Sequence, residues 1–313
     1  MLYALAPMDW ITDSAYRQIV KKIWNKYKKD SPDELLLYTE FVSSDWFVHN
    51  FDGVKHHLDY VNDEKPLICQ IFGSNLQKLL YTAKEIEKNY DFDGIDLNVG
   101  CPAPKIMKIG AGSALMINKE NTLEIVKTLS ENLEIPFSIK TRAGVNEADK
   151  PKQLDFIVKA SNFCKIIAIH ARTLAQQHSW KPDVDFVLKV KQLANPNCKI
   201  IFNWWITQEK LADKSFMEKI SLLDGIMIWQ AAIGNPWIFV WVEPSWEERK
   251  QTILEHLQLN IQAKWERRGV IEFRKFIGSY IKWIPNASKY RAEFMKVDSF
   301  DEFVKIINKM GSD

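Results

Sequence analysis

Three residues after an asparagine, in a turn rich in glycine and proline, this chain places a cysteine: the stretch Asp93–Ser113 reads DGIDLNVGCPAPKIMKIGAGS. A thiol can act as a nucleophile or as a proton donor, and which it does depends on its surroundings. Ile95 and Leu97 alternate with Asp96 and Asn98, so a short strand turns one apolar and one polar face. Gly100 then permits a sharp turn, and Pro102 and Pro104 cannot continue a ladder, so Cys101 sits just past the strand's carboxyl end. Barrels and open α/β sheets keep their chemistry at that end. A free cysteine is also commonly a small buried hydrophobe, and these residues alone leave both readings open.

Polar residues at the ends of apolar strands are informative, because a buried polar group must find a partner. Asp9, Glu40, Gln70, Asn98, Lys140, His170 and Asn203 fall there, one per strand-like run. Any one could be a satisfied core residue, whereas together on one rim they make a binding site. Ser138, Lys140 and Arg142 alternate onto one face, so at least one cation faces the barrel mouth, where it can stabilise negative charge on a bound ring. An ion pair between Lys140 and Asp96 is the structural alternative.

The elements that must position these residues recur regularly. Apolar runs at Tyr3–Pro7, Glu34–Glu40, Leu67–Phe72, Gly94–Asn98, Phe137–Thr141, Ile166–His170, Lys199–Asn203 and Gly225–Ile228 have the length of buried parallel strands. Helical periodicity fills most gaps, as at Ser74–Asn89, Asn121–Asn132, Lys152–Phe163, Asp183–Leu193 and Gln208–Ile220, with Ser74 and Asp183 as expected caps. Eight such repeats predict an α/β fold, a (β/α)8 TIM barrel over residues 1–243. A doubly wound sheet is the alternative, but no GxGxxG turn follows the first strand. Past Glu243-Pro244 the pattern is helical only, at Trp246–Arg267, Glu272–Ile284 and Phe300–Met310, which predicts a small all-helical domain over 244–313. It carries Arg267, Arg268, Arg274, Lys275, Lys282, Lys289 and Arg291, with Phe273, Tyr280 and Tyr290 between them. That mixture suits a phosphate backbone, though such runs are more often solvated helix faces.

A net charge of +2 leaves nucleic-acid binding to a local patch of this kind. Cys69, Cys101, Cys164 and Cys198 lack ligand spacing, which argues against a zinc site or disulfide framework and points to a reducing cytoplasm. No apolar run is long enough for a bilayer and no signal peptide is apparent. The expected protein is monomeric, with no metal and no membrane association.

In family order, the segments APMDWITDSAYR, QIFGSN, DLNVGCPAPKIMKIGAGSALM, SIKTR, IHARTLAQ, NWWIT and DGIMIWQAAIGNPWIF resemble the tRNA-dihydrouridine synthases. They cover the chain from Met1 to about Val242, and FRKFIGSYIKWIPNASKYR extends the likeness weakly. The resemblance implies an FMN-bound barrel that reduces the C5–C6 double bond of a uridine in tRNA, with NADPH reloading the flavin. It implies Cys101 as the general acid toward C5 after hydride reaches C6 from flavin N5. It places Pro7, Met8, Asp9, Gln70, Lys140, His170, Asn203, Trp204, Trp205, Trp229 and Gln230 at the FMN, and Asn98 and Arg172 at the base. The uridine would have to leave its stack to enter such a pocket. An FMN barrel acting on a small pyrimidine, or a flavin-free tRNA-binding protein, are the competing expectations.

One residue type departs from the resemblance systematically. Trp10, Trp46, Trp180, Trp204, Trp205, Trp229 and Trp283 stand where the family pattern has glycine, whereas Trp237 matches it. Drift would scatter several residue types, so a single type points to a UGA codon that the source organism reads as glycine. An indole at 204, 205 or 229 would fill the space a phosphate needs, so the chain as written is expected to bind FMN poorly.

Overall fold

The computed structural model describes residues 1–176, 181–204, 210 and 213–310, Trp204 in its backbone only. Nine strands form: β1 (Leu2–Leu5), β2 (Glu34–Tyr38), β3 (Val42–Ser43), β4 (Leu67–Phe72), β5 (Gly94–Asn98), β6 (Phe137–Arg142), β7 (Ile166–His170), β8 (Lys199–Trp204) and β9 (Gly225–Ile228). All pairings are parallel. β1 pairs with β2 and β9, and β2 pairs with β4, so eight strands close on themselves as a TIM barrel. β3 only extends the carboxyl end of β4, setting Val42 against Ile71 and Ser43 against Phe72. All eight expected strands are present.

Period-two alternation decides what faces inward. Leu2, Ala4, Ala6, Leu36, Tyr38, Ile68, Ala168, Ile201 and Met227 form one buried cluster, taking alternate positions of their strands. Two residues onward from several of them come Gln70, His170, Asn203 and Trp229, so the same face turns polar toward the carboxyl ends.

The described helices are α1 (Ser14–Lys28), α2 (Ser44–His49), α3 (Leu76–Asn89), α4 (Pro104–Lys108), α5 (Lys119–Asn132), α6 (Lys150–Ala160), α7 (Val184–Leu193), α8 (Lys214–Ile220), α9 (Trp246–Lys264), α10 (Glu266–Tyr280), α11 (Ala287–Phe294) and α12 (Phe300–Lys309). α3, α5 and α6 bury the same spacing of residues: Leu79, Thr82, Ala83, Ile86; Thr122, Ile125, Val126, Leu129; Gln153, Phe156, Ile157, Ala160. That stripe is what a 3.6-residue period lays on one face, and each large apolar side chain in it stabilises by about 1.5–3 kcal/mol. The α3 cap is Asn75, whose side chain accepts from Lys78 N–H, and not Ser74, whose hydroxyl donates to the Ile109 carbonyl. Asp183 caps α7 as expected, accepting from Phe186 N–H.

By its internal contacts the chain divides into two compact units, residues 1–13 with 30–229 and residues 14–29 with 230–313. The first holds the barrel strands, and the second is helical and includes α1. In the second unit Tyr16, Phe273, Phe276, Tyr280, Phe294 and Phe303 are fully buried. α9 and α10 meet where a Cβ on Gly269 would stand 2.7 Å from the Ile261 Cα, so only glycine permits the approach. The single helix expected over 246–267 is broken at Trp265, whose φ of 57° no helix accommodates. The aromatics expected between the basic residues prove to be core: Phe273, Tyr280 and Tyr290 are buried. Arg267 pairs with Asp298 at 3.0 Å and Arg268 with Glu272 at 2.7 Å on the exposed side. Among the described residues no helix is long and apolar enough to cross a membrane.

Candidate active site

Cys101 is held from two sides. The Asn98 side-chain oxygen accepts from the Gly100 N–H at 3.1 Å and the Cys101 N–H at 2.9 Å, an Asx-type turn that β5 runs directly into. On the other side the Ser113 N–H donates to the Cys101 carbonyl at 2.9 Å, and the Ser113 hydroxyl donates to the Gly100 carbonyl at 3.0 Å. Arg142 Nε donates to that same Gly100 carbonyl at 2.7 Å. The chain returns so close to the turn that a Cβ on Gly112, at φ 60°, would lie 2.7 Å from the Cys101 carbonyl oxygen. Only glycine serves there, for both conformation and space.

Asn98 is itself oriented by a relay across three strands. Its amide donates to Gln70 Oε1 at 2.9 Å, Gln70 Nε2 donates to Asp96 Oδ2 at 2.6 Å, and the Ser138 hydroxyl donates to Asp96 Oδ1 at 2.6 Å. Pairing makes this possible, since Gln70 lies opposite Asp96, Asp96 opposite Ser138, and Asn98 opposite Lys140. Complete satisfaction of such a buried network rigidifies it. Sequence reading named Gln70 and Asn98 but gave Ser113, Gly112 and Arg142 no part in holding the cysteine; the GAGS segment was the available signal.

Charge follows burial. The Cys101 thiol is half-buried and desolvation raises its pKa, against the opposing pull of the Ala103 N–H, Lys140 and Arg142, so it stays protonated at neutral pH. Desolvation likewise raises the Asp96 carboxyl to about 6, opposed by its bonds from Ser138 and Gln70 and by the charge of Lys140. Lys140 is lowered to about 8, chiefly by burial and then by Arg142, with Asp96 pulling upward. Lys140 makes no ion pair with Asp96, whose two oxygens are taken by Gln70 and Ser138, so the structural alternative for this lysine is not adopted. Arg142 is lowered to about 10 by burial, and its Nη1 has no hydrogen-bond partner among the described residues. Of the two cations on this strand face, at least one of which was expected at the mouth, Arg142 braces the cysteine turn and Lys140 keeps its charge available.

Beside Cys101 opens a cleft of about 1030 Å³ whose lining includes Asp9, Trp10, Phe41, Trp46, His57 and Cys101. Asp9, Glu40 and His57 bring ligand atoms within 4.8 Å of one another, with His57 Nδ1 3.6 Å from Glu40 Oε2. His57 was not anticipated, because a 3-10 turn far along the chain delivers it. Glu40 also accepts the Trp10 N–H at 2.5 Å. Pro7 and Met8 are buried at the end of β1, the Met8 N–H donating to the Thr12 hydroxyl at 3.0 Å.

His170 and Asn203 are paired neighbours, both buried. Asn203 Nδ2 donates to the Met227 carbonyl at 2.9 Å, while its Oδ1 is buried with no hydrogen-bond partner among the described residues. Arg172 is buried two residues beyond His170. Gln230 opens a short 3-10 helix in the helical unit. Trp205, Trp180 and the Trp204 side chain lie outside the described residues.

Tested against the flavin that the resemblance implies, the two halves of the rim behave differently. At the Cys101 half, Lys140 offers a cation, and on β8 Asn203 offers an unused acceptor, which suit a polar ring. After β9, the Trp229 indole packs onto the inward-facing core cluster and stands edge-on to the His170 ring, 5.8 Å between centroids. That is the turn where barrels seat phosphate on backbone N–H groups, and an indole takes up that room. The chain as written therefore fits the ring and does not fit the phosphate.

A sequence model of the dihydrouridine synthases, described as Dihydrouridine synthase (Dus), matches residues 4–310. This chain belongs to the dihydrouridine synthase family. A probable tRNA-dihydrouridine synthase of Staphylococcus aureus (strain COL) is 29% identical over 309 residues, 96% of this chain and 90% of that protein. One from Aquifex aeolicus is 29% identical over 97% of this chain and 94% of its own. The tRNA-dihydrouridine synthase B of Pseudomonas putida is 28% identical over 93% of this chain and 85% of its own. Among solved structures, a variant of Sulfolobus solfataricus 2-keto-3-deoxygluconate aldolase aligns with a TM-score of 0.45 at 12% identity, over 98% of this chain and 94% of that one.

Proposed function

We propose that this chain reduces a uridine of tRNA to 5,6-dihydrouridine, with Cys101 as the proton donor. The observation that carries the reading is a protonated thiol fixed at a barrel-strand end by Asn98, Ser113 and Arg142 in a chain of this family. The resemblance implies that a reduced FMN, reloaded by NADPH, would supply the hydride to C6 once the phosphate end crowded by the Trp229 indole is open, as in W229G. The chain's own part is to bind, orient and protonate. Cys101 delivers its S–H proton to C5, so that one hydride and one proton together saturate the C5–C6 bond, and the thiolate left behind regains a proton from solvent. Lys140, protonated below about 8, offsets negative charge on the ring it faces. Asn98 sets the position of Cys101 and, with Arg172, is the expected contact to the base. Exposed cations of the helical unit such as Arg267 and Arg268 offer sites for tRNA phosphates.

Incubating the purified protein with unmodified tRNA, FMN and NADPH tests this, with dihydrouridine in digested tRNA as the readout. Dihydrouridine formed by the parent or its W229G variant, and abolished by C101A, is the expected result. If neither protein forms it from tRNA while free uracil is reduced, the small-pyrimidine reading takes its place. A retarded tRNA band with no turnover in either protein gives instead the tRNA-binding reading that the Trp229 indole favours.

A further inference from the structure

We propose that positions 10, 241 and 265 are glycine in the protein as its source cell makes it, each encoded by a UGA codon that is written here as tryptophan and decoded there as glycine. Backbone conformation carries this, whatever reaction the chain performs. Four non-glycine residues among those described have positive φ: Trp10 at 63°, Trp241 at 59°, Trp265 at 57° and Asn286 at 58°. Asparagine visits that region readily, because its short side chain bonds its own backbone; a bulky aromatic does not. Three of the four being one bulky residue type is the reverse of what side-chain sterics select.

Each of the three also sits where a glycine has a local task. Trp241 N–H bonds back to the Trp237 carbonyl at 2.9 Å just past a helical turn, the left-handed closing position that glycine usually takes. Trp265, with φ 57° and ψ 162° between α9 and α10, borders a region populated essentially by glycine alone. Trp10 follows β1 and must present its N–H to Glu40. Trp241 and Trp265 fall outside the seven positions singled out from the sequence, so they are an independent observation.

Two of the described tryptophans contrast with these three. Trp24 and Trp237 are buried within helical turns, and the Trp237 indole donates to Glu248 at 3.1 Å and lies under the Arg249 guanidinium. Trp10, Trp241 and Trp265 are 54%, 41% and 69% exposed. Composition agrees: the chain has 12 tryptophans and only 12 glycines in 313 residues, when about 7% glycine is usual. Glycine at position 10 would also widen the cleft that the Trp10 side chain lines.

Peptide mass spectrometry of the protein isolated from its source cell reads the residues directly. Glycine at 10, 241 and 265 beside tryptophan at 24 and 237 is the expected result, and tryptophan at any of the three overturns the assignment there. The recombinant chain gives a second reading through its thermal midpoint. W10G, W241G and W265G should each raise it, by about 2 °C, whereas W24G and W237G lower it. A fall at the three positions like that at the two controls overturns the claim that their backbone is glycine's.

Discussion

At the carboxyl end of β5 the backbone passes through positive φ at Gly110 and Gly112, whereas past β1 it does so at Trp10. In the first turn each local choice agrees with the geometry: glycine where a Cβ would strike the Cys101 carbonyl, asparagine where two N–H groups need an acceptor, serine where two carbonyl-side bonds close the loop. In the second turn the conformation and the residue disagree, at a cost of about 1–2 kcal/mol for a left-handed non-glycine residue. The same contrast recurs between the rim near Cys101, where Gln70, Asn98 and Lys140 gather polar groups, and the end of β9, where the Trp229 indole packs onto the core cluster and against His170. Agreement across levels marks where this sequence specifies its site, and disagreement in one residue type marks where the written residue is foreign to the fold.

The comparison is broken most directly at Cys101. C101A should lower dihydrouridine formation about 10²–10⁴-fold while leaving tRNA retention in a gel shift unchanged; a smaller loss would mean that the well-specified turn serves packing and not proton transfer. Next comes the brace. N98A removes both acceptor bonds to the turn and should cost about 10²-fold through misplacement of the thiol, with N98D, which keeps an acceptor, losing less. Equal losses would show that the turn does not depend on the Asx bonds.

At the other end of the rim, flavin retention by W229G should exceed that of the parent about tenfold or more, the equivalent of ~1.4 kcal/mol, read from flavin absorbance per protein after desalting. A parent that purifies yellow at near-stoichiometric flavin would dissolve the contrast between the two halves.

The smallest expected effect is on pH. With Lys140 lowered to about 8, turnover should fall as pH rises through that value, before the raised Cys101 thiol loses its proton. Asp96 pulls the Lys140 pKa upward, so D96N should move the falling limb to lower pH, by about one unit as befits one lost neighbouring charge. An unmoved limb would place the titration elsewhere. Stability carries the opposite sign: the folded state binds the Lys140 proton more weakly than the unfolded chain does, which destabilises below about 8 and is relieved as pH rises toward the ordinary lysine range. K140M should therefore raise the thermal midpoint at pH 7, read by a melting scan of the purified protein.

Strand positions, the barrel and the cysteine at a strand end were legible in the sequence because they rest on local rules. Period-two alternation, breakers at Gly100 and Pro102, and eight runs of strand length need no knowledge of what lies across the barrel. The singular residue type at expected glycine positions was legible by a different route, through the family resemblance and not through local rules. Tertiary structure alone decided which polar residue meets which. Asp96 could have paired with Lys140, but strand register gave both its oxygens to Gln70 and Ser138 and left the lysine its charge. Arg142, a candidate for the mouth, became a brace because Gly100 returns its carbonyl to it. Phe273, Tyr280 and Tyr290, which alternate with cations along the chain, went to the core because helical faces sort residues by period and not by neighbourhood. That Trp241 and Trp265 stand on glycine's backbone could come only from the dihedral angles, since φ is set by how the chain must turn in space and leaves no mark in composition at a single position.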